Sequence, residues 1–262
     1  MSAARAGEAF ARLVTLMARL RDPGGCPWDR EQCLESLRSY LLEESYEVLE
    51  ALDGGVPAEH REELGDLLFQ VVFQARIREE EGHFDAAAVA DAIHDKLVRR
   101  HPHVFGDAQV TDRDEVARNW HVIKAQEKKR ESALDGVPMA MPALLRAGRI
   151  GAKAARVGFD WPDVAGVLQK LEEERQELDE ARANGDAAAV AHEVGDLLFT
   201  VVNLARHLGV EPETALQQAN ARFEGRFRWM EAQLRAAGRA VADTDAATLE
   251  AAWQAAKQAR GE

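Results

Sequence analysis

The chain has 262 residues, 46% hydrophobic and 30% charged, with a net charge of −13. That length admits one large domain or two of ordinary size, and the composition is that of a globular protein. The acidic excess excludes general nucleic-acid binding, which needs a basic face; two cysteines, Cys26 and Cys33, are too few for a disulfide framework and are read as free thiols in a reducing cytoplasm.

Phe10, Leu13, Val14, Met17 and Leu20 lie at helical spacing and predict a first helix over about 3–21. Arg12 and Arg19 interrupt this stretch, so no signal-peptide core is expected, and no apolar run reaches the ~20 residues that span a bilayer. The stretch Asp22-Pro23-Gly24-Gly25-Cys26-Pro27-Trp28-Asp29 breaks the helix. A second helix is expected over about 31–53, with Leu34, Leu37, Leu41, Val48 and Leu52 on one face. Asp53-Gly54-Gly55-Val56-Pro57 stops it. A third, about 58–81, carries Leu64, Leu67, Leu68, Val71 and Val72 up to Gly82, and a fourth covers about 85–100 before His101-Pro102-His103-Val104-Phe105-Gly106.

A charged, exposed helix is expected over about 112–131, its Lys128-Lys129-Arg130 run being solvated surface. Asp135-Gly136-Val137-Pro138 to Pro142 reads as a linker. Beyond it come a short helix, the breaker Gly158-Phe159-Asp160-Trp161-Pro162, and longer helices over about 163–183, 186–208 and 212–237. An alanine-rich helix over about 245–259 closes the chain. Val, Ile and Thr form no period-2 run, so no strands are expected, and the fold class is all-α, two small bundles with short connections.

A repeat organises this series. Leu41-Leu42-Glu43-Glu44-Ser45-Tyr46-Glu47, followed by Glu63-Leu64-Gly65-Asp66-Leu67-Leu68-Phe69, returns as Leu171-Glu172-Glu173-Glu174-Arg175-Gln176-Glu177, followed by Glu193-Val194-Gly195-Asp196-Leu197-Leu198-Phe199. Each position recurs 130 residues later. The expected division is an N-terminal helical domain over 1–110, a helical connector and linker over 111–142, and a C-terminal, catalytic helical domain over 143–262.

On a helix, residues three or four apart share a face. Glu174 and Glu177 form one such pair, Glu193 and Asp196 another, and a short loop makes their helices antiparallel neighbours. Four ionised carboxylates facing one another repel, so they take up protons or a cation. Oxygen-only ligands suit Mg²⁺, with Mn²⁺ as a substitute. A di-iron bundle would carry Glu-x-x-His pairs, which neither copy has. His192-Glu193-Val194-Gly195-Asp196 has the outline of HExxH but ends in Asp, which argues against a zinc protease. Glu44, Glu47, Glu63 and Asp66 are the matching set, a second candidate metal site, in the first copy. The copies differ around these acids. The second aligns Lys170 with Glu174 and Glu177, and Thr200 and Asn203 with Glu193 and Asp196; the first puts Tyr40 and Phe73 at the ends of the same stripes. A lysine beside a metal site suits a polyphosphate, whereas two aromatics suit packing. The second copy is therefore expected to be catalytic.

These residues resemble the MazG family of nucleoside triphosphate pyrophosphohydrolases in its two-domain form. The likeness rests on the paired acids and on Arg21-Asp22-Pro23, Gly25-Cys26-Pro27-Trp28-Asp29, Arg99-Arg100-His101-Pro102-His103-Val104-Phe105, Val157-Gly158-Phe159-Asp160-Trp161 and Asn203-Leu204-Ala205-Arg206-His207-Leu208. It implies an all-α NTP-pyrophosphatase fold, a homodimer, a cytoplasmic house-cleaning role without membrane or nucleic-acid partners, and Mg²⁺-dependent cleavage of NTPs and dNTPs to the monophosphate and pyrophosphate. It implies Glu174, Glu177, Glu193 and Asp196 as metal ligands and Lys170, Arg222, Arg226 and Trp253 as substrate contacts. Where some relatives have a further acid, this chain has His192. Glu173 or Glu174 is expected to orient or deprotonate the attacking water. Trp28 and Trp161, at breakers, are expected in the core, and His101 and His103 as loop or cap residues. The rival reading from another class is a non-catalytic helical interaction module stapled by a metal.

Overall fold

The computed structural model describes residues 2–127 and 131–260, and the Lys128-Lys129-Arg130 run lies outside the described residues. The chain divides into two compact units, Met1–Lys128 and Lys129–Glu262. The first contains helices α1 (Ala3–Arg21), α2 (Pro27–Glu31), α3 (Leu37–Gly54), α4 (Pro57–Glu80), α5 (Ala86–Arg100), α6 (Pro102–Phe105) and α7 (Arg113–Gln126). The second contains α8 (Ala143–Ala155), α9 (Val164–Asn184), α10 (Ala187–His207), α11 (Pro212–Ala236), a 3₁₀ turn (Val241–Asp243) and α12 (Ala246–Ala259). No strand occurs among the described residues, and the fold class is all-α.

The expected second helix starts later than its periodicity suggests, and a separate short helix precedes it. Arg21 is the cause. Its guanidinium donates to the carbonyls of Asp29, at 2.5 Å, and Gln32, at 3.2 Å, so these oxygens are satisfied outside a continuous helix. The same side chain pairs with Glu80 at 2.8 Å, fastening the α1–α2 turn to α4. Met17, Leu37, Val72, Phe73 and Ile77 form the core of this unit, with Phe10, Leu13, Leu34, Tyr40 and Phe69 packed around them. The helix expected over about 112–131 is α7, and it docks on its own unit: Arg100 stacks over Trp120, and Glu127 pairs with Arg99 and Arg100, which hold its carboxyl at about 2.

In both units the acid-bearing helices are consecutive and antiparallel. α3 packs on α4 and α9 on α10. The turns are built alike: Gly55 (φ 70°) ends α3 and Gly185 (φ 67°) ends α9, a left-handed conformation that glycine adopts without strain. Asp163 caps α9 by accepting from Gly166 N, and Asp186 caps α10 by accepting from Ala188 N and Ala189 N. These caps fix where each helix starts, and hence which residues lie opposite one another.

Candidate metal and nucleotide site

In the second unit, carboxylate oxygens of Glu174, Glu177 and Glu193 all lie within 4.8 Å of one another. Glu174 is the innermost, only 5% exposed. Desolvation raises the pKa of Glu177, and its hydrogen bond with Glu174 and the charges of Glu174 and Glu193 add to that, against the opposing pull of Lys170. Such a group of hard oxygen donors, from the buried Glu174 to the exposed Glu177, fits a divalent cation.

Asp196 stands elsewhere in the cluster. It groups with Glu193 and His192, whose Nδ1 lies 3.1 Å from Asp196 Oδ2 and 3.5 Å from Glu193 Oε1. Glu193 is common to both groups. Lys170 donates to Glu173 at 2.5 Å and lies 2.9 Å from Glu174, which raises its own pKa. Glu173 is exposed and reaches the cluster only through this lysine.

The first unit repeats the inner trio. Glu44, Glu47 and Glu63 lie within 4.8 Å of one another. Burial, then the charges of Asp66 and Glu47, raises the pKa of Glu44; burial, then Glu47 and Asp66, raises that of Glu63. Among the described residues no lysine joins them, and position 40, which matches Lys170, is Tyr40. Phe73, on the same stripe, is fully buried in the core. Tyr40 packs beside it and meets Trp28 edge-on at 5.7 Å. Trp28 itself is 48% exposed and so does not plug the bundle end as expected.

Asn203 also departs from expectation. It is buried, but against α8 rather than toward the acids: its Nδ2 donates to Phe199 O, its Oδ1 accepts from Arg206, and a Cβ on Gly151 would come within 2.2 Å of that oxygen. Arg206 pairs in turn with Asp160, holding its carboxyl at about 2.

Arg222 and Arg226, with Arg260, line a groove of about 310 Å³ between α11 and α12. Trp253 lies 5.1 Å from Phe223 along the same helix pair. Arg260 escaped the sequence reading. It follows Trp253 and Lys257 at i, i+4, i+7 spacing, a stripe that could have marked it. Its guanidinium donates to Gly225 O at 3.0 Å and would sit 3.3 Å from a Cβ at that position.

The family model for the MazG nucleotide pyrophosphohydrolase domain matches residues 32–105. A second, for phosphoribosyl-ATP pyrophosphohydrolase, matches residues 156–223. A nucleoside triphosphate pyrophosphohydrolase of Escherichia coli (strain K12) is 49% identical over 253 residues, covering 94% of this chain and 96% of that protein. A protein of Thermotoga maritima named nucleoside triphosphate pyrophosphohydrolase/pyrophosphatase MazG is 45% identical over 254 residues, covering 96% of this chain and 97% of its own length. A nucleoside triphosphate pyrophosphohydrolase of Mycolicibacterium smegmatis is 45% identical over 158 residues, 58% of this chain and 48% of that protein.

Proposed function

This chain belongs to the MazG family of nucleoside triphosphate pyrophosphohydrolases, and from that premise we propose that its second unit cleaves NTPs and dNTPs between the α and β phosphates, using Mg²⁺. The products are a nucleoside monophosphate and pyrophosphate. One observation carries the assignment to the second unit: among the described residues a cationic side chain, Lys170, sits against the acid trio only there, while the first unit packs aromatics along the same stripe.

Glu174, Glu177, Glu193 and Asp196 would hold the cation. When bound, it supplies Lewis-acid activation of the attacking water and charge neutralisation at the phosphates. Lys170 moves its ammonium from Glu173 and Glu174 to the phosphate oxygens. Glu173, released from that pair, accepts the proton of the water that attacks the α-phosphorus. Arg222 and Arg226 offset the charge on the departing pyrophosphate. Trp253 and Phe223 offer an aromatic surface to the base. The trio Glu44, Glu47 and Glu63, with Asp66, is a second, non-catalytic cation site.

The active form in this reading is a homodimer. One residue past the acids, α4 carries Leu64, Leu68 and Val71 at i, i+4, i+7, and α10 carries Val194, Leu198 and Val201 likewise; all six are exposed. Leu42, Tyr46 and Leu49 continue the apolar surface on α3. Apolar stripes of this extent suit burial against a second copy. Because its substrates form the free nucleotide pool, the enzyme belongs in the cytoplasm and needs neither nucleic acid nor membrane. A metal-stapled interaction module without catalysis is the weaker reading, since relatives aligned over nearly the whole chain carry the name of the enzyme.

The decisive measurement is pyrophosphate release from a panel of NTPs and dNTPs with Mg²⁺. Equimolar monophosphate and pyrophosphate are expected. No release across the panel, or release of orthophosphate, overturns the proposal.

A further inference from the structure

We propose that His192 converts the outer half of the acid cluster into a mixed nitrogen–oxygen site that takes a later first-row transition ion, such as Co²⁺, in preference to Mg²⁺. This rests on the reading of the acids as cation ligands. The cluster has two parts sharing one carboxylate. The inner part, Glu174, Glu177 and Glu193, offers oxygen alone. The outer part, His192, Glu193 and Asp196, offers an imidazole nitrogen and two carboxylates within 4.8 Å of one another. His192 and Asp196 stand one helical turn apart on α10 and project together, so both can bind one ion without moving the backbone. The imidazole is 73% exposed and open to an ion arriving from solvent, while Glu193 is 18% exposed and anchors the inner edge.

The ligand chemistry sets the preference. Mg²⁺ demands a near-octahedral oxygen shell, whereas imidazole suits later metals, whose affinity for nitrogen sites rises across the row. The chain supplies its own comparison. The residue 130 positions before His192 is Glu62, followed by Glu63 and Asp66 in the same spacing. One copy of the motif therefore has a third acid where the other has a nitrogen donor, and only the second has the means to discriminate between ions.

The test is calorimetric titration of the metal-free full-length protein with Co²⁺ and, separately, Mg²⁺, beside the His192→Glu and His192→Gln variants, with fold checked by circular dichroism. Proton NMR of the Co²⁺ form supplies an independent signal, the hyperfine-shifted N–H of a coordinated imidazole. The wild type should bind Co²⁺ more tightly than Mg²⁺ and show that resonance. Both variants should lose the resonance and about 10–100-fold in Co²⁺ affinity, with Mg²⁺ affinity changed far less. Co²⁺ affinity unchanged in both variants, with Mg²⁺ still binding, overturns this inference and leaves the metal-site reading standing. Binding of neither ion by folded wild type overturns both.

Discussion

Lys170 Nζ lies 2.9 Å from Oε1 of Glu174, the most buried carboxylate of the acid group. The chain thus places its own cation on the donor that a metal would need. A buried carboxylate left without a partner is costly, so the lysine steadies the metal-free state. In the proposed mechanism the same ammonium is released to phosphate when a divalent ion takes over that task.

Lys170→Gln should therefore lower kcat/KM by about 10²–10³-fold, the usual cost of losing one group that stabilises transition-state charge. Calorimetry should show Mg²⁺ binding preserved. Steady-state pyrophosphate release checks the first part. Undiminished turnover would reduce Lys170 to an ordinary surface ion-pair partner of Glu173 and Glu174.

Glu193 serves both donor groups, Asp196 only the outer one. Glu193→Gln should abolish turnover, and Asp196→Asn should cost at least about 10²-fold in kcat, both with an unchanged circular dichroism spectrum. Asp66→Asn, in the first unit, should cost less than about threefold. Equal losses from Asp66→Asn and Asp196→Asn would falsify the assignment of catalysis to the second unit.

Divalent ions should stabilise the fold. At a free concentration of 100 times Kd, Mg²⁺ adds about 2.7 kcal/mol, visible as a rise in Tm that a chelator reverses. Glu177→Gln should blunt this rise while raising the Tm of the metal-free protein. The sign follows from its raised pKa: the folded state favours the protonated carboxyl, so stability is lost as pH climbs through that pKa, and the amide removes the penalty. A metal-free Tm lowered by the substitution would contradict this.

Arg260 closes the groove lined by Arg222 and Arg226. Arg260→Ala should raise KM for a nucleoside triphosphate about tenfold, about 1.4 kcal/mol, through a lost charge-assisted contact. Gly225→Ala should act in the same direction but more weakly, by crowding the guanidinium. Substrate titration of both variants checks the pair; an unchanged KM in both would place Arg260 outside the substrate's reach.

Acid should weaken the second unit by way of Asp160. Arg206, seconded by His207, holds this carboxyl at about 2, below its ordinary 3.8. A depressed folded pKa contributes stability above the unfolded value that is lost as pH falls from about 4 to about 2. Asp160→Asn should remove on the order of 1–2 kcal/mol at pH 7 and flatten the decline over that window. Urea titrations across pH decide it, and parallel curves for wild type and variant would dismiss the role.

Helix positions were largely legible because periodicity, Pro, Gly and capping aspartates are local signals: Asp163 and Asp186 mark the starts of α9 and α10, and Gly185 the turn between them. The late start of α3 was not, since it depends on Arg21 reaching the Asp29 and Gln32 carbonyls from α1. Nor was the environment of Trp28, whose indole lies along Tyr40 at the surface instead of under the bundle.

The amino-acid order alone determined the duplicated acids, their pairing along each helix, and the lysine that tells the second copy from the first. Tertiary packing decided what those side chains meet: Asn203 turns to Gly151 on α8, Glu193 comes to Glu174 and Glu177 on α9, and Arg260 comes to Gly225. A residue's bearing around its own helix follows from a turn of about 100° per position. Which neighbour stands at that bearing is set only when the helices pack.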